Sequence, residues 1–208
     1  MRRPADTVSA VLTDGTEVQF RPIGSDDKPL LERGMAKLSP ASRRLRFMSS
    51  IDNLSRSQLA YLTEIDHQTH LAWGALVAGE PVAVARLIRR SDASASAEIA
   101  ITVVDDWQRR GVGELLIRLM AEIGRSLGVE RFDFEALAEN KGILRLLGGL
   151  GAVHALSGGV ASGSLPVAGI EPATFNGGNI LELAESARHP GADRRTQVSL
   201  PGPGSSGE

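Results

Sequence analysis

Cysteine is absent from all 208 residues. That excludes disulfides, thiolate-ligated zinc and thiol nucleophiles together. A basic excess is missing too: 23 Lys and Arg against 25 Asp and Glu give a formal charge of −2. No polyanion-binding surface follows from that balance, so a nucleic-acid partner is not expected. No apolar run approaches the roughly 20 residues that span a bilayer. The opening "MRRPADTVSA" has no apolar core of signal-peptide length. A cytoplasmic protein with no membrane partner is the expectation. The 42% hydrophobic content is enough for a packed core, and no internal repeat is visible. The length suits one domain plus a tail.

The N-terminal third reads as a hairpin followed by helices. "VSAVLTDGTEVQFRPI" gives two short strands around Asp14-Gly15, a turn pair that tolerates positive φ. Ser25 or Asp26 is placed to cap a helix with Pro29 in its first turn. Ser39-Pro40 opens a second helix, with serine as cap and proline at the first helical position. Ser55 and Gln58 form a capping box for a third. From Leu71 the period changes, and "LAWGALVAGEPVAVARLIRR" gives two antiparallel strands joined at Gly79-Glu80-Pro81. "AEIAITVV" (97–104) is a third strand beside them.

After it comes a helix whose apolar positions are Val112, Leu115, Leu116, Leu119, Met120, Ile123 and Leu127, one stripe at helical period. Gly128 ends it. "RFDFEAL" (131–137) returns as a strand, with Phe132 and Phe134 on one face. A shorter helix follows, then a hairpin around Gly158-Gly159. The domain is expected to span 8–168. Residues 169–208, rich in Pro, Gly and Ser toward the end, are expected to be a disordered tail.

The segment "VVDDWQRRGVGELLIRL" (103–119) turns from strand to helix through two arginines and two glycines. The first N–H groups of a helix have no partner within it, and the helix dipole adds partial positive charge there. Gly111 and Gly113 allow an anion to approach the backbone. Gln108 adds a neutral donor, and Arg109 and Arg110 add charge. A pyrophosphate suits this design. A dinucleotide-binding loop fits poorly, because Leu116 stands where its third glycine belongs.

"QRRGVG" (108–113), in its strand–loop–helix setting, resembles the signature loop of the GNAT family of N-acetyltransferases. The element order resembles that fold as well. "RPIGSDD", "LSPASRRLRFM" and "AENKGILRLLGGLGA" are similar to segments of bacterial protein lysine acetyltransferases. The resemblance implies an α/β (α+β) acyl-CoA N-acyltransferase fold: a mixed, mostly antiparallel sheet with a V-shaped splay, flanked by helices. It implies acetyl-CoA as co-substrate and no metal. The acceptor would be an amine, in a small molecule or a protein lysine, and a homodimer is allowed.

By the same resemblance, the amides of Gln108, Arg109, Arg110, Gly111, Val112 and Gly113 hold the pyrophosphate. Val103 and Val104 pair with the pantetheine arm. Asn140 contacts the cofactor or caps its own helix. An N–H near Val103 or Val104 polarises the thioester.

Glu98, in an "AEI" segment that resembles the glutamate segment of protein-acetylating members, is the candidate general base if half-buried with a raised pKa, and otherwise a surface glutamate on a strand edge. Glu135 and Asp66 are weaker candidates for holding a cationic acceptor. Many relatives carry a tyrosine as proton donor in the helix after the parallel strand. The single tyrosine here, Tyr61, lies elsewhere, and none occurs between 138 and 152. That departure leaves a second reading open, an acyl-CoA-binding regulatory module with little or no turnover. His67 and His70 are spaced as a metal pair on a helix, but no further ligands support one. Arg43, Arg44 and Arg46 read as a solvated helix face, or as contacts for the 3′-phosphate of CoA or for an acidic partner. Trp73 and Trp107 read as packing residues, with Trp107 also placed to shelter the groove mouth.

Overall fold

The computed structural model describes residues 7–90 and 95–188. Nine strands form one sheet in the order β7-β8-β6-β5-β4-β3-β2-β1-β9. The hairpin β1 (Val8–Val11) and β2 (Glu17–Pro22) leads into α1 (Lys28–Ala36), α2 (Pro40–Phe47) and α3 (Arg56–Thr63). The meander β3 (His70–Val77), β4 (Glu80–Arg89) and β5 (Ser96–Val103) forms the middle of the sheet. Then come α4 (Val112–Ser126), β6 (Arg131–Leu137), α5 (Lys141–Gly149) and the hairpin β7 (Val153–Ser157) and β8 (Val160–Pro166). The chain closes with β9 (Asn176–Gly177) and α6 (Ile180–Arg188).

The helix starts follow the sequence chemistry. Ser39 Oγ accepts from the Ser42 amide, and Ser55 with Gln58 makes a full capping box. At α1 the expectation fails. A 3₁₀ turn (Ser25–Asp27) precedes the helix, and Asp27 is not free to cap it. Its carboxylate instead pairs with Arg21 at 2.6 Å and accepts from the Gly24 amide. The β3–β4 turn also moves by one residue. Ala78 and Gly79 have φ of 50° and 81°, the positive pair that a two-residue hairpin turn requires. His67 and His70 lie on no common helix. His70 starts β3, and no metal-holding cluster of His, Asp or Glu occurs among the described residues.

One sheet face packs on α4. Leu116, Leu119, Met120 and Ile123 bury completely in one core with Phe20, Trp73, Ala85, Leu87 and Phe132. The other face lies beneath α1, α2 and α3. Gly163 in β8 permits the last hairpin to close over the sheet. A Cβ there would lie 2.3 Å from the Val153 carbonyl and 2.7 Å from the Phe134 ring. β7 itself is exposed along its whole length.

The domain does not stop at residue 168. β9 pairs with β1 through Val8–Gly177 and Ser9–Asn176. Phe175 meets Phe20 edge-on at 5.5 Å between ring centroids, and α6 lies on α4 with Ile180 and Ala184 buried. Residues 169–188 therefore belong to the fold. The expected tail from 189 onward lies outside the described residues. Ile180→Ala should cost about 2–4 kcal/mol in urea unfolding, as a buried aliphatic truncation does. An unchanged midpoint would show that α6 is not docked in solution.

Candidate functional site

Strand pairing opens the site. β5 and β6 run parallel but pair at only three rungs, Ser96–Arg131, Ala97–Phe132 and Glu98–Asp133. Past Glu98 the strands part. β6 pairs with β8 along its whole length, and β5 pairs with β4 through Val103. The wedge between them is a cleft of about 500 Å³. Its walls are residues 99–103 and 134–136, and the loop at 108–113 and α5 border its mouth.

Hydrogen bonding along β5 alternates sides. The Val104 N–H bonds the Val82 carbonyl at 2.9 Å, so Val104 is committed to the sheet and its side chain is buried. That corrects the expectation that Val104 pairs with a pantetheine. The same alternation turns the peptide edge of Val103 into the cleft. The Val103 carbonyl there accepts from Gln108 Nε2 at 3.1 Å. Gln108 thus braces the loop from beneath, with further contacts to Asp105 and Ser42.

The loop above is an open array of donors. Among the described residues, no backbone N–H from Arg109 to Gly113 donates to the chain. The first closed bond at the head of α4 runs from the Leu115 N–H to the Gly111 carbonyl, at 3.1 Å. Arg109 and Gly111 both have positive φ, 60° and 92°. Such alternation of backbone hand turns successive amides toward one side, forming an anion-holding concavity.

The two glycines do different jobs. A Cβ on Gly111 would meet nothing within 4 Å, so glycine serves its backbone angle. A Cβ on Gly113 would press on Leu146 at 3.2 Å and Val103 at 3.4 Å, so glycine there lets α4 seat against α5 and β5. Val112 is buried in the core beneath.

The two arginines also differ. Arg110 stacks on the Trp107 ring, 4.0 Å from its centroid, and pairs with Asp14 across the β1–β2 turn. The Arg110 hydrogen bond, helped by the Thr16 amide, lowers the Asp14 pKa to about 2. Arg109 is exposed, lines the cleft and makes no ion pair among the described residues. Arg145 on α5 is likewise exposed, lines the cleft and makes no ion pair among the described residues, and sequence reasoning missed it. Asn140 accepts from the Ile143 amide at 3.2 Å, which makes it the cap of α5, and it also lines the cleft.

Glu98 ends the paired segment of β5 and is exposed rather than half-buried. Arg46 of α2 is its electrostatic neighbour. Burial lowers the Arg46 pKa, partly offset by the Glu98 charge. Arg43 and Arg44 are not a free solvated face. Arg43 bonds the Leu38 and Asp52 carbonyls, and Arg44 pairs with Glu139. Arg46 lines the cleft and makes no hydrogen bond or ion pair among the described residues. Glu135 lies on the β6 wall. Asp66 is structural. Burial raises its pKa, but bonds from Thr69 and from the His70, Gln68 and Thr69 amides outweigh that and hold it at about 2. Tyr61 is on α3, exposed, its ring 4.9 Å from that of His70.

A family model described as the acetyltransferase (GNAT) family matches residues 41–151, more than half of the chain. The chain belongs to the GNAT acetyltransferase family. It is 32% identical to acetyltransferase PA5475 of Pseudomonas aeruginosa over 146 residues, 68% of this chain and 78% of that protein. It is 33% identical to acetyltransferase Pat of Mycolicibacterium smegmatis over 138 residues, 64% of this chain. It spans only 40% of the length of that second relative. The GNAT domain of S. lividans PAT superposes with a TM-score of 0.74 at 25% identity, covering 80% of this chain and 99% of that one. The parted sheet is thus the GNAT acyl-CoA N-acyltransferase fold, and in that family acetyl-CoA is the co-substrate.

Two outcomes test the loop. Gly111→Ala should destabilise by about 1–2 kcal/mol although its methyl meets no atom, because the cost lies in the backbone angle. Chemical denaturation measures this, and no loss would mean that the positive φ is not kept in solution. Asp14→Asn should lower stability at neutral pH. The folded pKa of Asp14 lies below its unfolded value, so the stabilisation is full above about pH 4. It fades as pH falls toward about 2. Wild-type and variant melting curves should converge over that interval.

Proposed function

We propose that this chain transfers an acetyl group from acetyl-CoA to an amine by direct transfer in a ternary complex. The observation that carries the reading is the row of unpartnered amides at 109–113, facing a cleft between two parted parallel strands. Backbone N–H groups at a helix N-terminus suit a diphosphate. The residues present fit that group: the backbone of Arg109 to Gly113 holds it, and Arg109 and Arg145 add charge at the rim. Arg110 supports the loop through Asp14 and Trp107. Asn140 borders the same mouth. The free edge of β5 at Val103 offers main-chain pairing to the pantetheine amides. Acetyl-CoA supplies the acetyl group already activated as a thioester.

The acceptor must lose a proton, since an ammonium with a pKa of about 10.4 has no lone pair. Glu98 takes that proton, directly or through a water. Its exposure leaves it open to the acceptor side, and Arg46 beside it sets the local field. The amine nitrogen then bonds to the thioester carbon, the C–S bond breaks, and the second N–H proton leaves the nitrogen to solvent as solvent returns one proton to the departing thiolate. The acceptor is a small-molecule amine or a protein lysine. The relatives named acetyltransferases support acyl transfer, and the segments similar to those of bacterial protein lysine acetyltransferases favour the lysine.

A second reading, an acyl-CoA-binding module with little turnover, draws on the lack of any tyrosine at 138–152.

Calorimetry with acetyl-CoA and turnover against an amine panel separate the two readings. Glu98→Gln should lower kcat by about 10²–10⁴-fold, the range for a lost general base. Acetyl-CoA affinity should stay unchanged. Tight binding with no turnover in either protein favours the module.

A further inference from the structure

The cleft is not closed at its inner end. Leu38, Arg46, Ala100 and Thr102 line both the cleft and a second cavity of about 90 Å³ on the other face of β5. The floor of this chamber follows from strand register. Arg21, Gly74, Val84 and Thr102 make one row across β2, β3, β4 and β5, and Arg86 pairs with Ala100 beside it. Gly74 and Ala100 raise almost no side chain above the sheet. Leu30, Leu31 and Met35 of α1 and Leu62 of α3 form the roof but do not fill the gap. The lining is mainly apolar. Four charged side chains border it: Arg21 and Asp27 pair with each other, Arg86 bonds His70 and the Leu62 carbonyl, and Arg46 stands at the junction with the cleft.

Protein cores hold few voids larger than a water molecule. A site for one water-sized group needs roughly 10–15 Å³, so this chamber holds several. We propose that it is an acyl pocket, taking the hydrocarbon tail of CoA thioesters longer than acetyl, with apolar chains of about four to six carbons. This rests on reading the cleft as the CoA site. A pantetheine lying on the Val103 edge directs its acyl end along β5 toward Ala100, where the two cavities meet. Glu98 is two residues further along the same strand and does not line the chamber. Glu98 shares a sheet face with Ala100 and Thr102, so the acceptor amine meets the thioester at the chamber's Glu98 end while the acyl tail runs away from it beneath α1. The bonds made and broken are those of acetyl transfer: C–N forms, C–S breaks, and the thiolate is protonated from solvent.

Isothermal titration with free CoA and with acetyl-, butyryl-, hexanoyl- and succinyl-CoA tests this without an acceptor. Butyryl-CoA should bind about tenfold tighter than acetyl-CoA, and hexanoyl-CoA tighter still. Val84→Phe fills the floor outside the cleft and should erase that preference, leaving acetyl-CoA affinity within about twofold. Gly74→Ala is the milder filler. Its Cβ meets Ile23 at 3.6 Å, an ordinary contact, so the fold is kept and the preference should shrink. Affinity that is flat or falls with chain length overturns the proposal, as does a ranking unmoved by both variants. Tightest binding of succinyl-CoA also overturns it, because Arg46 and Arg86 rather than the apolar lining would then select the chain. If free CoA itself fails to bind, the cleft reading falls and takes the proposal with it. Binding without chain-length preference removes the proposal alone.

Discussion

The whole site depends on a pairing that stops. Two parallel strands share three rungs and then separate, because each has a better partner on its other side. β6 is hydrogen-bonded to β8 along its full length and β5 to β4. An unpaired strand edge is normally a liability. In this fold it lies inside the molecule, walled by the Phe134 region and topped by the loop. Main-chain donors thereby stay available without offering a template to other chains.

The loop shows how few residues are needed to hold such donors open. Gly111 supplies a backbone angle, Gly113 supplies closeness to Leu146 and Val103, and Gln108 ties the turn to the end of β5. Arg110 fastens the turn to the β1–β2 hairpin through Asp14. Only Arg109 of the two arginines keeps its charge unpaired among the described residues. The positive field at the cleft mouth thus comes from the helix start, Arg109 and Arg145, and the neighbouring cation is a strut.

Much of this was legible from residue order. Helix caps at Ser39 and Ser55, the buried stripe of α4 and the alternation of β6 follow from local chemistry and periodicity. The donor loop was legible because strand, glycines and helix are contiguous. Other features need the third dimension. The burial of Glu98 depends on what covers one face of β5, which alternation along a strand cannot state. Arg46 reads as one of three similar helix arginines until α2 is laid across the cleft. Arg145 has no motif around it. Residues 169–188 look featureless because β9 is two residues long and α6 buries little more than Ile180 and Ala184. Their order comes from α4 and β1, far away in sequence.

The glycine at 163 has a mechanical consequence. The β5 side of the wedge is backed by β4, β3 and the packed α4, which makes it a stiff jaw. The β6 side is backed by a hairpin of small residues whose outer strand is wholly solvent-facing, and position 163 excludes any side chain that could thicken it. Only the hairpin end of that jaw lacks such backing, since Phe132 and Leu165 share the α4 core. Any breathing that admits or releases a bulky molecule belongs to the C-terminal hairpin, while the opposite jaw keeps its donors in register.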